Sequence, residues 1–513
     1  MNEIRLSKSQ KALIQHNLFQ AKKIENKNKH LGFINAPLQN KEEIIILSHV
    51  KRFIERQQGD PGFRQQLSIN PDKAVDQYKI KVDPEEIRPL WDQKFFKDHV
   101  NSEFNKSHWA SIKDALIKKY GQKANITESV KIFLDFFADE AESFQDKIKQ
   151  IANSTIDPRF KAWRERQINR TKSQFKKVVY ESILHIPVCF ELSKGCSVGC
   201  WFCGVSAPRL SDIFLYSEEN ARLWREVLEL VQEMLGLAAS TGFCYWATDP
   251  LDNPDYEKFC IDFSEIMGIF PSTTTALALR DPERTRSLLK LSTEQGLCAN
   301  RFSIISLENL RRLHEEFTAE ELVFVKLVLQ NKEAIGIKAV AGRALYKKPK
   351  NSPDNPEPEQ TTIACVSGFL FSMVDRSVKL ISPCPADDRW PLGYIVYDQG
   401  NFCDANDLKN LLERMIAKNM PIQIKNTDKI KFRRDLTYES LPDGFKVSTK
   451  FLTRTYRHGR YLKTLGDLIQ QGDKTAEEIA GYCESYGIAK ADIFDRINEL
   501  FNKGVLDEEP PSE

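Results

Sequence analysis

A chain of 513 residues is too long for one typical core, so two to four domains are expected and a small stapled fold is excluded. Its 74 basic and 72 acidic residues leave a net charge of +2, which gives no support for a whole-chain nucleic-acid or anionic-membrane surface. The start, Met1-Asn2-Glu3-Ile4-Arg5, has no apolar signal core, and no later stretch approaches the roughly 20 apolar residues of a membrane helix, so a cytoplasmic protein is expected. Eleven cysteines dispersed in such a chain point to reduced thiols and metal ligands rather than to a disulfide framework.

In chain order, residues 1–178 read as a mostly helical accessory region. Apolar residues recur at helical spacing in Glu42–Arg56 and in Glu128–Ile151, and Thr127 is a candidate N-cap for the second helix. Between them, Asp60-Pro-Gly-Phe-Arg-Gln-Gln-Leu67 and Asn70-Pro-Asp-Lys-Ala74 read as a helix with a proline-started successor. The pair is also similar to nitrile-hydratase-like leader sequences, which would make it a docking element.

Over residues 179–435, short β-rich runs alternate with helical segments. Strands are expected near Ser182–Pro187, Gly242–Trp246, Ser272–Leu277, Arg301–Ile305 and Leu322–Leu329, with helices over Ser217–Leu237 and Pro282–Leu291. This alternation predicts an α/β fold with a parallel sheet curled into a partial (β/α) barrel. Lys347–Gln360, with four prolines, reads as a loop or lid. Thr361–Val374 and Ser377–Pro383, joined at Asp375-Arg376, read as a hairpin that would bring Cys365 and Cys384 to one end. Residues 436–513 look like a separate winged-helix module, with a capping box at Thr475-Ala-Glu-Glu478 and a helix over Ala491–Lys503 that stops at Gly504 before a short strand, Val505-Leu506.

Cys196-Ser-Val-Gly-Cys200-Trp-Phe-Cys203 has the CxxxCxxC spacing that lets three thiolates of one loop reach three irons of a [4Fe–4S] cluster and leaves the fourth iron open. Gly195 and Gly199 let the backbone wrap closely. Zinc would want a fourth closing ligand, and no second CxxC or nearby CxxxH pair is present. With its place just after the first expected strand, this motif makes the chain similar to the radical S-adenosylmethionine superfamily. The resemblance implies a partial (β/α)6 barrel whose open iron chelates S-adenosyl-L-methionine. It also implies that Phe202 flanks the adenine. Ala247-Thr248-Asp249-Pro250 stands where that superfamily has a Gly-Gly-Glu-type motif for the methionine amino group, so Thr248 and Asp249 are candidate contacts, although the glycines are absent and the carboxylate is shorter. A strand exit capped by Asp249 is the alternative reading. Ser303 matches a ribose-contacting position and is as readily a structural serine.

Thr362-Ile-Ala-Cys-Val-Ser-Gly-Phe-Leu-Phe-Ser-Met373 and Ile381-Ser-Pro-Cys-Pro-Ala-Asp-Asp-Arg-Trp-Pro-Leu-Gly-Tyr394 resemble radical S-adenosylmethionine maturases of ribosomally made peptides, most of all the proteusin-type amino-acid epimerases. That resemblance implies removal of a Cα hydrogen from an L-residue by a 5′-deoxyadenosyl radical and hydrogen return from a cysteine thiol on the opposite face, giving a D-residue. Outside the motif stand Cys189, Cys244, Cys260, Cys298, Cys365, Cys384, Cys403 and Cys483. Cys384, in a Pro-flanked loop, is the first choice as donor and Cys365 the second, with buried packing thiols as the alternative. None of these cysteines forms a CxxC pair, so a single cluster is the simpler expectation.

The C-terminal module resembles the winged-helix recognition elements of peptide maturases, which add a leader peptide to a sheet edge. Dimerisation or DNA binding would suit it equally, and Lys446, Lys450, Arg454, Arg457 and Arg460 would serve phosphates or an acidic leader. The partners implied are a precursor peptide with a leader and an electron donor such as flavodoxin or ferredoxin. The rival readings are a radical maturase performing C-methylation, cross-linking or backbone excision, and an iron–sulfur redox sensor that binds DNA.

Overall fold

The computed structural model describes residues 41–91, 127–136, 141–295, 300–335, 340–346 and 361–511, those at 141–144 and Arg460 without side chains. The expected loop Lys347–Gln360 and Cys298 lie outside the described residues.

Helices α1 (Lys41–Gly59), α2 (Pro61–Ile69), α3 (Pro71–Gln77) and α4 (Glu128–Leu134) form an N-terminal body. Asp60 caps α2 and Asn70 caps α3, each followed by a proline whose missing N–H costs nothing at the first helical position. Thr127 caps α4 as expected, and of the helix expected over Glu128–Ile151 the described residues hold α4 and α5 (Ala141–Ala152). Phe53, Phe63, Ile87 and Phe133 close a core that also takes in Val323 and Phe324, so this body is packed against the central one. The proline-started pair α2–α3 contributes Phe63, Leu67 and Ala74 to that core.

Helix α6 (Pro158–Gln174) lies on the central body, where Phe160 and Trp163 join its core, and α7 (Lys177–Ser182) precedes the first strand. Strand β1 is Ile186–Glu191 rather than Ser182–Pro187, because α7 runs to Ser182 and His185 turns the chain with φ of 51°. The two-residue strands β2 (Ser193–Lys194) and β3 (Asp212–Ile213) pair across the cysteine loop. Then follow α8 (Glu218–Leu235), α9 (Tyr256–Met267), β4 (Thr274–Thr275), α10 (Pro282–Glu294), β5 (Asn300–Ile304), α11 (Leu307–Glu316) and β6 (Val325–Leu329). The short α12 (Arg343–Tyr346), β7 (Val366–Ser372), β8 (Ser377–Pro383), β9 (Tyr394–Asn401) and α13 (Ala405–Asn419) complete the central body.

The fold is α/β with several small sheets. One has the order β1-β7-β8-β9, with β1 parallel to β7 and the rest antiparallel. A parallel bridge from Cys189 to Phe243 extends its other edge. A second sheet, β4-β5-β6, is parallel, with α10 and α11 over its outer face through Leu289, Phe302, Ile304 and Leu310. The strand expected over Gly242–Trp246 is reduced to the Phe243 bridge, and that over Ser272–Leu277 to β4. Side chains take over the ladder there: Ala247 N donates to Glu191 at 2.7 Å and Ala276 N to Asp249 at 2.7 Å. Among the described residues, no continuous ladder joins Phe243 to β4.

In the C-terminal module, strands β10 (Thr437–Leu441), β11 (Gly444–Ser448) and β12 (Thr453–Tyr456) form an antiparallel sheet, followed by α14 (Arg460–Gln471), α15 (Ala476–Glu484) and α16 (Lys490–Asn502). The capping box at Thr475 and Glu478 is formed, and Gly504 follows α16 with φ of 63°. The expected strand Val505-Leu506 is a single bridge from Leu506 to Phe432. The module's core reaches upstream of Leu436 to Ile430 and Phe432. Among the described residues, no helix is long and apolar enough to cross a membrane.

Candidate functional site

The cysteine loop leaves β1 through the β2–β3 pair. Gly195 sits there with φ of +84°, and a Cβ on it would stand 2.3 Å from the Arg209 carbonyl, so only glycine fits. Cys196 N donates to Pro208 O at 2.9 Å, which closes the loop on itself. Ser197 anchors its outer end on the buried Asp252 carboxylate, through N at 2.9 Å and Oγ at 2.6 Å, and Arg280 donates to the same carboxylate at 2.9 Å. Ala207 N donates to Cys203 Sγ at 3.3 Å.

Burial and then the neighbouring Cys196 and Cys203 push the Cys200 thiol up to about 11, and burial also raises Cys196. Cys196 and Cys203 thus both lie near enough to Cys200 to act on it. Among the described residues, no three His, Cys, Asp or Glu side chains gather round a single metal ion. A donor set of three partly exposed sulfurs on one loop, one of them already accepting an N–H, fits a cluster whose thiolates bind three separate irons.

A distant segment clamps this loop. Arg343 N donates to Cys203 O at 2.9 Å, its Nη1 to Cys200 O at 2.8 Å and its Nη2 to Ala207 O. Beside it, Gly342 has φ of +54°, and a Cβ there would lie 2.5 Å from Gly204 O. The sequence offered no local signal for Arg343 because its partners lie more than a hundred residues upstream.

Of the candidate cofactor contacts, Phe202 is half-buried and stands edge-on to Trp201, ring centres 5.4 Å apart. Asp249 is buried, and its carboxylate accepts from Leu251 N at 3.1 Å, Thr275 Oγ1 at 2.7 Å and Ala276 N at 2.7 Å, so it acts as the strand-exit cap. Burial pushes that carboxyl up to about 6. Thr248 Oγ1 donates weakly to Asp249 O at 3.4 Å. Glu191, at the end of β1, is a carboxylate that the sequence reading missed: burial raises it to about 7, and it holds Ala247 N. Ser303 lies on the inner face of β5, opposite Val328.

The β7–β8 hairpin does bring Cys365 and Cys384 to one end, but on opposite faces. Cys384 is 3% exposed and packs with Phe369, Leu380 and Tyr397 beneath α6. Burial pushes its thiol far up, and Arg170 opposes this. Cys365 packs instead with Cys189, Phe243, Leu370 and Tyr394 on the other face. There its thiol acts on Cys189, Tyr245 and Arg301. Cys244 and Cys260 are buried in the central core, Cys483 in the C-terminal one, and Cys403 is exposed.

In the C-terminal module, Lys446 pairs with Glu439, and the Lys450 ammonium lies 5.6 Å from the Phe451 ring centre, whereas Arg454 stands on the edge strand β12. Lys446 and Lys450 are thus engaged within the module, and Arg454 lies on a sheet edge.

These features define a mixed α/β protein with a three-thiol loop at the mouth of its central body. The chain belongs to the family of the uncharacterized protein y4wI of Sinorhizobium fredii (strain NBRC 101917 / NGR234), with which it is 37% identical over 477 residues, 91% of this chain and 88% of that protein. No family model matches the chain, and no solved structure matches it.

Proposed function

We propose that the chain is a radical S-adenosylmethionine peptidyl epimerase, with Cys365 as the thiol that returns hydrogen to the substrate carbon. Cys196, Cys200 and Cys203 would hold a [4Fe–4S] cluster, which when loaded with S-adenosylmethionine supplies the hydrogen-abstracting radical. The observation that carries this reading is the position of Cys365, packed on the face of Cys189 and Tyr245, while Cys384 is sealed under α6. Phe202, Thr248 and Ser303 remain candidate contacts for the cofactor, and Glu191 joins them at the end of β1. The edge strand β12 offers unpaired backbone groups to a leader peptide, the main-chain mode of strand addition. A flavodoxin- or ferredoxin-like protein would supply the electron.

The test is reaction of the reconstituted protein with a candidate precursor in heavy water. Inversion through an exchangeable thiol gives one deuterium per converted Cα and a D-residue, with no other mass change. Methylated, cross-linked or excised product would replace this reading by another radical maturation. A reduced protein that forms no 5′-deoxyadenosine would remove the radical reading altogether.

A further inference from the structure

Thr274, Arg301 and Lys326 stand in a row on the inner face of β4, β5 and β6, Thr274 opposite Arg301 and Arg301 opposite Lys326. The alternation of β5 buries Asn300, Phe302 and Ile304 and turns Arg301 and Ser303 inward. Arg301 donates from Nε to Thr274 Oγ1 at 2.9 Å and from Nη2 to Tyr245 OH at 2.7 Å, while the two hydroxyls share a 2.7 Å hydrogen bond. Among the described residues, the side-chain hydrogen-bond partners of Arg301 are neutral.

Lys326 keeps a solvent-accessible side chain, yet surrounding protein desolvates its ammonium and lowers its pKa, and Arg301 pushes the same way. Among the described residues, no carboxylate pairs with either cation. Elsewhere several enclosed cations face carboxylates, Lys51 with Glu55, Arg56 with Asp60, Arg166 with Glu508, Arg286 with Glu321 and Arg433 with Asp435. The buried Arg164 and Arg170 donate to neutral groups but, among the described residues, have no second cation directly opposite across a ladder. Like charges directly opposite on neighbouring strands destabilise a sheet. Two of them side by side on one inner face, next to the Tyr245 and Thr274 hydroxyls, suit an anion that both can face.

We infer that Arg301 and Lys326 form a carboxylate subsite for an acidic residue of the peptide substrate. The inference rests on the epimerase reading. The row lies one pleat below Ser303, toward the start of the strands, and Tyr245, whose hydroxyl accepts from Arg301, packs against the same cluster as Cys365. An anion held there lies beside the thiol that quenches the substrate carbon, and so belongs to the molecule being quenched. The ammonium supplies a point charge and the guanidinium a directed donor, which together would fix the peptide's register against Cys365.

Thermal midpoints of the reconstituted protein under anaerobic conditions test this with two pairs of probes: N-acetylglutamate N-methylamide against N-acetylglutamine N-methylamide, and S-adenosylmethionine against its decarboxylated form. The acidic capped residue is expected to raise the midpoint and the neutral one to leave it. Lys326→Gln should weaken the acidic probe about tenfold or more, the size of one charged hydrogen bond, raise the midpoint of the unliganded protein and keep the response to S-adenosylmethionine. Lys326→Arg should restore acidic binding. If Lys326→Gln instead weakens S-adenosylmethionine and spares its decarboxylated form, the carboxylate is the cofactor's and the substrate assignment is overturned. An acidic probe that moves neither wild type nor variant overturns the subsite. Binding of the acidic probe through Lys326 by a protein that forms no 5′-deoxyadenosine supports the subsite while removing the epimerase reading.

Discussion

Arg343 donates from Nη1 to the carbonyl of Cys200 at 2.8 Å, joining the segment before the proline-rich stretch to the loop that carries Cys196, Cys200 and Cys203. With its backbone N on Cys203 O, it fixes both ends of the CxxC turn. Arg343→Ala removes a charged donor from the Cys200 carbonyl, worth about 1.5–3 kcal/mol to the loop geometry. The variant is expected to lose bound iron faster than wild type, about tenfold or more, with Arg343→Lys intermediate. Iron per chain followed against a chelator checks this, and unchanged retention would reject the clamp.

The opposite placement of Cys365 and Cys384 separates two substitutions that the sequence alone treated as near equivalents. Cys365→Ala should form 5′-deoxyadenosine with a precursor but yield no D-residue. Cys384→Ala should cost stability of about 1 kcal/mol, as a small buried truncation does, and keep epimerisation. Chiral amino-acid analysis together with thermal midpoints decides between them. Loss of D-residues in Cys384→Ala alone would return the donor role to Cys384.

The C-terminal segment is tied to α6 by an enclosed ion pair, Arg166 with Glu508 at 2.9 Å, and the Arg166 guanidinium lies 4.0 Å from the Phe501 ring centre. The Arg166 side chain is 0% exposed, so Glu508→Gln leaves a buried charge without its counterion. A loss of about 3–5 kcal/mol is expected. Replacing Arg166 by Met in the same chain should recover most of it. Denaturant unfolding of the single and double variants measures the coupling, and additive losses would contradict it.

Acid should weaken the junction between α1 and α11. Burial, reinforced by Arg52, pushes His314 down to about 3 although Glu55 lies 3.2 Å from its Nε2. The unfolded chain takes up that proton near 6.5 and the folded chain only near 3, so stability falls as pH drops between these values. Burial would raise Glu320, but its hydrogen bond with His49 holds it down at about 2, adding a second loss as pH falls below 4.5. The thermal midpoint should therefore decline on acidification from pH 6.5. His314→Gln should flatten the upper part of that decline, and an unchanged slope would exclude His314 as its source.

Features set by neighbours in sequence were legible in it. The Cys196, Cys200 and Cys203 spacing, the glycine at 195 and the caps at Thr127 and Thr475 depend on contacts within a few residues, so residue type at a fixed offset suffices. The strand at Asn300–Ile304 was found within one residue because its alternation is strict. The segments at 242–246 and 272–277 were read as strands from composition, but carboxylates from Glu191 and Asp249 capture backbone N–H groups that a ladder would otherwise use.

The sequence by itself therefore determined that three thiols converge on one loop at the exit of a strand. Only the tertiary structure decided which other side chains meet them. The register shift between β1 and β7, at Gly368, where a Cβ would stand 2.0 Å from Pro187 O, interrupts the regular alternation just after Cys365. Arg301 faces Lys326, and Arg343 reaches Cys200, through parallel pairing and chain crossings that span from tens to more than a hundred residues. Such contacts follow from packing the whole core, where a one-residue slip exchanges the faces of a strand, and no local pattern encodes them.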